Sequence, residues 1–144
     1  MDPRALTFAD AAPHHFDAIA RIEREAGGSS VVTLTAGLAI EEAVRRGHYV
    51  IVALDADDVA GWVWFSVDGA RGGEEIAQMF RVAVAPEHRR SGVGRALVEH
   101  AQAVLSARDC TRVRATLPAA DDASRAFLVS LGYAVDALTM ERPL

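Results

Sequence analysis

Apolar positions along the chain switch between a period of about two residues and one of about 3.6, and the switches mark out its elements. Arg4–Ala9 reads as a short edge strand. Asp10 and Pro13 then signal a helix start, Phe16, Ile19 and Ile22 follow among its apolar positions, and Gly27-Gly28 stops the run, which predicts a helix over Pro13–Ala26. Ser29–Thr33 is a loop of small and β-branched residues. A second helix is predicted over Leu34–Arg46: Leu34, Leu38 and Val44 mark its buried side, Arg45-Arg46 complement the dipole, and Gly47 ends it.

Strand patterns follow. His48–Leu54 is a compact β-rich run joined by the acidic turn Asp55–Asp58 to Val59–Val67, where Trp62, Trp64 and Ser66 alternate with Val63, Phe65 and Val67 so that both faces are covered. Asp68–Gly73 reads as a loop leading into a long strand, Glu74–Val84, closed by Pro86. After a loop over Glu87–Ser91, helical spacing returns in Val93, Ala96, Leu97, Ala101, Val104 and Leu105 and predicts a helix over Gly92–Arg108. Thr111–Leu117 is the next strand, Asp121 or Asp122 caps a helix reaching Leu131 with Gly132 as its left-handed stop, and Tyr133–Glu141 is expected to close the chain as a strand. The order is β-α-α-β-β-β-α-β-α-β, with no repeat and no linker, so residues 1–144 are expected to form one domain of the α/β class with a mixed sheet.

Composition narrows the chemistry. With 51% apolar residues and a net charge of −5, the chain is a folding sequence and not a disordered one. Cys110 is the only cysteine, which excludes an internal disulfide and a cysteine-based zinc cluster and predicts a reducing, cytoplasmic setting. Met1-Asp2-Pro3-Arg4 leads into no uninterrupted apolar run, so neither a signal peptide nor a membrane span is expected. All fifteen basic residues are Arg, so a phosphate loop ending in Gly-Lys and Schiff-base chemistry on an enzyme lysine are both ruled out. Abundant Ala and missing Asn assign that bias to genomic base composition. Phe80–Val98 holds Arg81, Arg89, Arg90 and Arg95 against Glu87, a local +3 in a chain that is otherwise −8. That is the pattern of a local anion site and not of a nucleic-acid-binding face.

The chemistry concentrates in Val82–Leu97, where a strand end passes through Ala85-Pro86-Glu87-His88 and Arg89-Arg90-Ser91-Gly92-Val93-Gly94-Arg95 into an amphipathic helix. A helix N-terminus offers unpaired N–H groups and about half a positive charge, and Gly92 and Gly94 let an oxyanion approach the backbone. A phosphate-bearing ligand is expected here. A dinucleotide fingerprint is not matched, because Leu97 stands where the third glycine belongs.

With its flanks the segment resembles the coenzyme A loop of the GCN5-related N-acetyltransferase (GNAT) superfamily. The loop pattern Arg/Gln-x-x-Gly-x-Gly/Ala is met by Arg89-Arg90-Ser91-Gly92-Val93-Gly94, the upstream Val-x-Pro-Glu by Val84-Ala85-Pro86-Glu87, and the closing Leu-Gly-Phe/Tyr by Leu131-Gly132-Tyr133. The resemblance implies the GNAT fold over essentially all 144 residues and acetyl-CoA as cosubstrate, with no metal. Acetyl-CoA would lie in a V-shaped gap between the strand ending at Val84 and the one starting near Thr111. Main-chain groups of Val82 and Val84, with Ala83 between them, would pair with the pantetheine arm. Amides from Arg90 to Arg95 would hold the pyrophosphate, with Arg89 adding charge. An amine would attack the thioester directly in a ternary complex.

Relatives often place a Tyr where Leu128 stands, which leaves His88 or Tyr133 as substitute acids, while Tyr133 also reads as a packing residue and Asp121 as a cap. Glu75, acting through a bridging water, is the candidate general base, with His48 as the alternative; Gln78 sits where some members carry the carboxylate. Cys110 reads as a small filler, His14-His15 has no third metal ligand, and Trp62 and Trp64 read as sheet packing. Glu23, Glu25, Glu41, Glu42, Glu74 and Glu75 would favour a cationic acceptor, a small-molecule amine or a protein or peptide amine. Nucleic acid and membrane are not expected partners, and the chain is expected to be a monomer or homodimer. The alternative function is a non-catalytic acyl-CoA-binding module of the same fold.

Overall fold

The computed structural model describes residues 5–25, 39–71, 74–118, 120–138 and 140–144. Five strands form one sheet in sequence order: β1 (Thr7–Asp10), β2 (Tyr49–Asp55), β3 (Asp58–Arg71), β4 (Glu74–Val84) and β5 (Cys110–Ala115). The first four pair antiparallel and β5 joins β4 in parallel, so the sheet is mixed. α1 (Phe16–Glu25) and α2 (residues 39–45) cover one face, and α3 (Val93–Ala107) covers the other, with α4 (Asp122–Ser130) beside it. Among the described residues no helix is long and apolar enough to cross a membrane.

The two cores follow from strand alternation. Val50, Val52 and Trp62 pack against Ile19 and Ile22 of α1 and Ile40 and Ala43 of α2. Ile51, Ala53, Val63 and Phe65 pack against Val93, Leu97, Val98, Ala101 and Leu105 of α3. α1 and α3 bury the stripes that their spacing predicted, but in α2 Ile40 and Ala43 are buried while Val44, expected on the buried side, is 51% exposed; Leu34 and Leu38 lie outside the described residues.

Several boundaries differ from the sequence reading. The first strand lies at Thr7–Asp10, and the first helix divides into a 3-10 turn at Pro13–His15 followed by α1. The N–H of Ala12 donates to Nδ1 of buried His15 at 3.0 Å, so a histidine caps this turn, a partner that no cap rule for Ser, Thr, Asp or Asn would find. β3 continues to Arg71, because the hairpin ladder carries on to Arg71 opposite Glu74 and overrides the polar composition of the expected loop. Most of that loop is therefore strand, and its tip, residues 72–73, lies outside the described residues. The stop at Gly27-Gly28, the Ser29–Thr33 loop and the first turn of the second predicted helix also lie outside them.

The expected final strand over Tyr133–Glu141 is not formed: among the described residues beyond Tyr133 there is no ladder, and Val135, Leu138 and Met140 are exposed. Strand propensity needs a partner edge, and this segment does not pair with β5.

Gly61 in β3 had no place in the sequence reading. A Cβ there would stand 2.8 Å from the Ala83 carbonyl oxygen, 2.9 Å from Leu97 and 3.2 Å from Val93, so this position sets how closely α3 lies on the sheet. Gly61→Ala is expected to cost roughly 1–3 kcal/mol by overpacking, read as a lower urea midpoint at unchanged m-value.

Burial first, and the neighbouring His14 second, hold the His15 imidazole below its ordinary pKa, in the neutral form whose Nδ1 can accept the Ala12 N–H. A histidine depressed in the folded state stabilises above its unfolded value, about 6.5, and loses that contribution as pH falls through the folded value. The melting temperature should fall on acidification through this range, and His15→Asn, which still offers an acceptor but does not titrate, should flatten that step.

Candidate functional site

The site begins with an odd residue. Along β3 and β4, Trp64 faces Arg81 while Phe65 faces Met79, so Phe80 is extra and forms a bulge. Up to Met79 the residues that point toward α3 are Ala77 and Met79. Beyond the bulge the parity changes: Val82 and Val84 pack toward α3, and Ala83 joins the α1 face. The β4–β5 ladder runs from Glu75 opposite Cys110 to Met79 opposite Ala115 and ends there. The β5-side edge of β4 from Phe80 to Val84 therefore has no strand partner. A bulged strand bends and twists more strongly, and β5 does not follow it. The paired stretch thus ends where the gap between these two strands was expected to begin.

The connection to α3 opens toward the same end. Ala85 donates its N–H to the Ala60 carbonyl at 2.8 Å, a 3-10 turn covers Pro86–His88, and Ser91 Oγ donates to the His88 carbonyl. Arg90 and Gly92 then adopt positive φ, 61° and 84°. That left-handed geometry costs Arg90 about 1–2 kcal/mol and costs Gly92 little. Gly92 caps α3 without a side-chain hydrogen bond, and no acidic residue lies in the first turn. Ala96, which donates to the Gly92 carbonyl at 3.0 Å, is the first amide of this stretch with a described backbone acceptor. The amides of Arg90, Ser91, Gly92, Val93, Gly94 and Arg95 have none among the described hydrogen bonds, which leaves the partial positive charge of the helix end uncompensated.

The side chains around this mouth divide in role. Arg89 Nε donates to the Val84 carbonyl at 3.4 Å, and Arg95 pairs with Glu99 at 2.8 Å, both exposed. A Cβ at Gly94 would meet Phe127 of α4 at 3.3 Å and Val84 at 3.5 Å, so this glycine serves the approach of α4 as well as the openness of the loop.

Behind the opening lies a pairing that sequence reasoning missed. Glu23 of α1 is 1% exposed; it accepts the Trp62 indole N–H at 2.9 Å, and Arg81 Nε donates to both its oxygens at 2.9 and 3.0 Å. Glu23 is thus a neutralised structural acid and not an attractor for a cationic acceptor. Glu41 and Glu42 are likewise engaged by Arg45 and Arg46 on their own helix. Arg81 also acts on Asp121, whose side chain caps α4 by accepting the Ser124 N–H at 3.0 Å; that hydrogen bond first, with Arg81 as a weaker cause, holds the Asp121 carboxyl below the usual carboxylate range. Asp121 is a cap, as its position suggested.

The proposed acid–base residues are not gathered at the gap. Glu75 stands at the zipped end of the β4–β5 ladder, five residues before Phe80, or about 17 Å of strand. His48 does come close, stacked on Phe80 with ring centroids 5.4 Å apart. Its Nδ1 accepts the Trp64 indole N–H at 3.0 Å, so the neutral ring carries its proton on Nε2 and has no free lone pair for a base. His88 faces Asp55 at 3.4 Å, while its Nδ1 is buried without a partner. Tyr133 accepts from Gln102 at 3.1 Å, and burial raises its phenol pKa. Tyr133 is partly buried against the core under α3, as a packing residue is. Leu128 is buried and offers no proton. Cys110 opens β5 at the zipped end, its thiol pushed up by burial first and then by the charge of Glu75.

Comparison with known proteins agrees with this geometry. The sequence model of the acetyltransferase (GNAT) family matches residues 16–133. A comparison with curated proteins finds no match. Among solved structures, a transcriptional regulator from Bacillus halodurans C-125 superposes with a TM-score of 0.82 at 15% identity, covering 96% of this chain and 99% of that one. A protein from Desulfovibrio desulfuricans, named for the GNAT family, superposes at 0.81 with 21% identity over 92% and 87% of the two chains. An aminoglycoside acetyltransferase from an uncultured soil metagenomic sample, in complex with sisomicin, superposes at 0.79 with 17% identity over 98% and 97%.

The Glu23 network carries its own prediction. Glu23→Ala leaves the Trp62 N–H and the Arg81 guanidinium without their acceptor, and should lower unfolding free energy by about 1–3 kcal/mol in urea titration. Glu23→Leu combined with Arg81→Met should lose less than Glu23→Ala alone, because no charge is then left unpaired.

Proposed function

This chain belongs to the acetyltransferase (GNAT) family, and we propose that within it the protein moves an acetyl group from acetyl-CoA to a primary amine by direct attack. The observation that carries this reading is the free edge of β4 from Phe80 to Val84, set beside the uncapped amides of Arg90–Arg95. An extended chain of amides can pair with that edge at Val82 and Val84, on either side of Ala83, as an added strand would. A diphosphate fits the bare amides around Gly92, where positive φ and the missing side chain leave the backbone open. Bound there, coenzyme A supplies an acyl group already activated as a thioester.

The chain's own residues act by placement. An N–H near Val82 is positioned to donate to a carbonyl oxygen that gains charge during attack. Arg89, Arg90 and Arg95 attract the phosphates, and Ser91 and Val93 help to shape the loop. Holding amine and thioester together supplies a large part of the rate by proximity. Direct transfer is further supported by Cys110, whose raised pKa and place at the zipped end suit a packing thiol and not an acyl carrier. Glu75, at its distance, can serve as base only through ordered water. Of the acids expected to favour a cationic acceptor, Glu25 and Glu75 are exposed and have no ion-pair partner among the described residues.

A second reading, an acyl-CoA-binding module without turnover, is favoured by one fact: neither Leu128 nor His48 offers a proton-transfer group at the gap. Thermal shift with acetyl-CoA, followed by thiol release across a panel of amines, separates the two. Tight binding with amine-dependent release supports the transferase, and tight binding without release supports the module. No binding at all overturns both.

Gly92→Val should weaken acetyl-CoA binding at least tenfold, measured by calorimetry, with far-ultraviolet circular dichroism unchanged; unaltered affinity removes the loop from the site. With no strong base at the gap, log kcat/KM should rise with unit slope up to the pKa of the acceptor amine itself. The break should move when an acceptor of lower pKa is used, and Glu75→Gln should leave it in place. A break fixed across acceptors and lost in Glu75→Gln would instead assign the base to Glu75.

A further inference from the structure

The face of the sheet that carries α1 holds a row of polar side chains beside the bulge. Gln78 of β4 stands opposite Ser66 of β3 on one side and opposite Arg114 of β5 on the other. Val113 and Ala115 pack under α3, so Arg114, and Arg112 before it, alternate to the α1 face. The apolar packing of α1 and α2 reaches Trp64 and Ala83 but includes no residue of β5. Arg112 and Arg114 are exposed and make no hydrogen bond or ion pair among the described residues. Ser66 is 3% exposed, and its Oγ is buried with no hydrogen-bond partner. Three rings stand next to this row. Phe80 is 44% exposed, stacks on His48 and meets Trp64 with centroids 4.9 Å apart. Because Phe80 is the bulged residue, an exposed ring sits where the free edge of β4 begins.

We propose, resting on the transferase reading, that the acceptor is an amine that also bears a carboxylate, of the amino-acid class, with its carboxylate held by Arg114 and an apolar side chain laid on Phe80.

Charge selects the carboxylate. Of the cations on this face, Arg81 is matched by Glu23, which leaves Arg112 and Arg114. Glu75, opposite Cys110, alternates to the α3 face with Ala77 and Met79. Asp121, the acid within reach of Arg81, is spent as the cap of α4. An acceptor approaching along the row therefore meets two unpaired guanidinium groups and no unpaired carboxylate among the described residues of these strands. A guanidinium fork matches a carboxylate in two parallel hydrogen bonds. Gln78 can add an amide N–H beside it, and the Ser66 hydroxyl is an open hydrogen bond in the same row. A polycation would find the rings attractive, but it would have to stand beside Arg112 and Arg114 with no acid to offset them. Reach agrees as well. Val82 lies four residues beyond Gln78, about 13 Å along β4, a distance that an Arg side chain and a short amino carboxylate cover together. The amine then stands at the gap. Its nitrogen forms the new C–N bond as the thioester C–S bond breaks, and the proton it sheds ends on the coenzyme A thiol.

The test uses the full chain. Release of coenzyme A from acetyl-CoA is followed with phenylalanine, phenylalaninamide, glycine and spermine, and kcat/KM is expressed per neutral amine. Phenylalanine should exceed its amide and spermine at least tenfold. Arg114→Gln should bring phenylalanine and its amide within about twofold of each other, while Arg114→Lys keeps part of the preference. Phe80→Ala should narrow the ratio of phenylalanine to glycine in the same way. Calorimetry on protein saturated with coenzyme A reads the site without turnover. N-acetylphenylalanine should bind at least tenfold more tightly than its amide, and Arg114→Gln should close that difference. No binding, equal binding of acid and amide, a difference that survives Arg114→Gln, or a preference for spermine would each overturn the proposal. The binding difference without release from any amine would keep the carboxylate site and strike the transferase reading alone.

Discussion

Two strands that run side by side over Glu75–Met79 separate where β4 takes in one residue more than β3 can match, and the edge left free beyond that point is the constraint on which the site depends. A continuous sheet has its hydrogen bonds spent; this one keeps a stretch of main chain unspent next to a buried core. α3 meets the sheet at the same place. Its height there is set by the bare Cα of Gly61, and its first amides are left over because Gly92 caps without a side chain. The free edge and the bare helix end serve one ligand geometry only because Val84 and Val93 are joined by a short, tightly turned loop.

Electrostatics around the opening are arranged in pairs. A carboxylate as deeply buried as Glu23 is tolerable only when charge and hydrogen bonds satisfy it, and Arg81 with Trp62 does this. Arg81 in turn stands within electrostatic reach of Asp121 at the start of α4. α1, β3 and β4 are therefore tied through a single buried carboxylate, and Glu23 adds no free negative charge to the surface. The basic segment from Arg81 to Arg95, legible in composition as a local +3, is divided in the fold: Arg81 is structural, while Arg89, Arg90 and Arg95 surround the start of α3.

The elements were legible wherever a period and a terminator coincided. α3 and β4 fall within a residue or so of their expected limits because the helical stripe from Val93 to Leu105 and the strand ended by Pro86 are both unambiguous. The bare start of α3 was legible because glycine spacing reports backbone access directly. What escaped was information held in register. From Ile76 to Val84 the polar residues Gln78 and Arg81 stand three apart, a break in alternation, but only the register shows that Phe80 is the residue that shifts the parity. Glu23 looked like a surface acid on a helix face because its partners, Trp62 and Arg81, lie 39 and 58 residues away. The closing strand was expected from propensity alone, and propensity does not supply a neighbour. The base was sought among carboxylates of the right strand, without a way to know that Glu75 falls at the zipped end.

The bulge at Phe80 also bears on how such a gene can vary. A substitution at that codon preserves the count, so the opening tolerates many side chains there. Loss of the codon would instead leave Arg81 opposite Trp64 and Val82 and Val84 under α3, so the Glu23 pairing would stay while the extra residue that bends β4 beyond its pairing with β5 would be gone. The shape of the opening at mid-β4 is therefore set by how many residues the strand holds opposite β3 and not by the chemistry of the extra one.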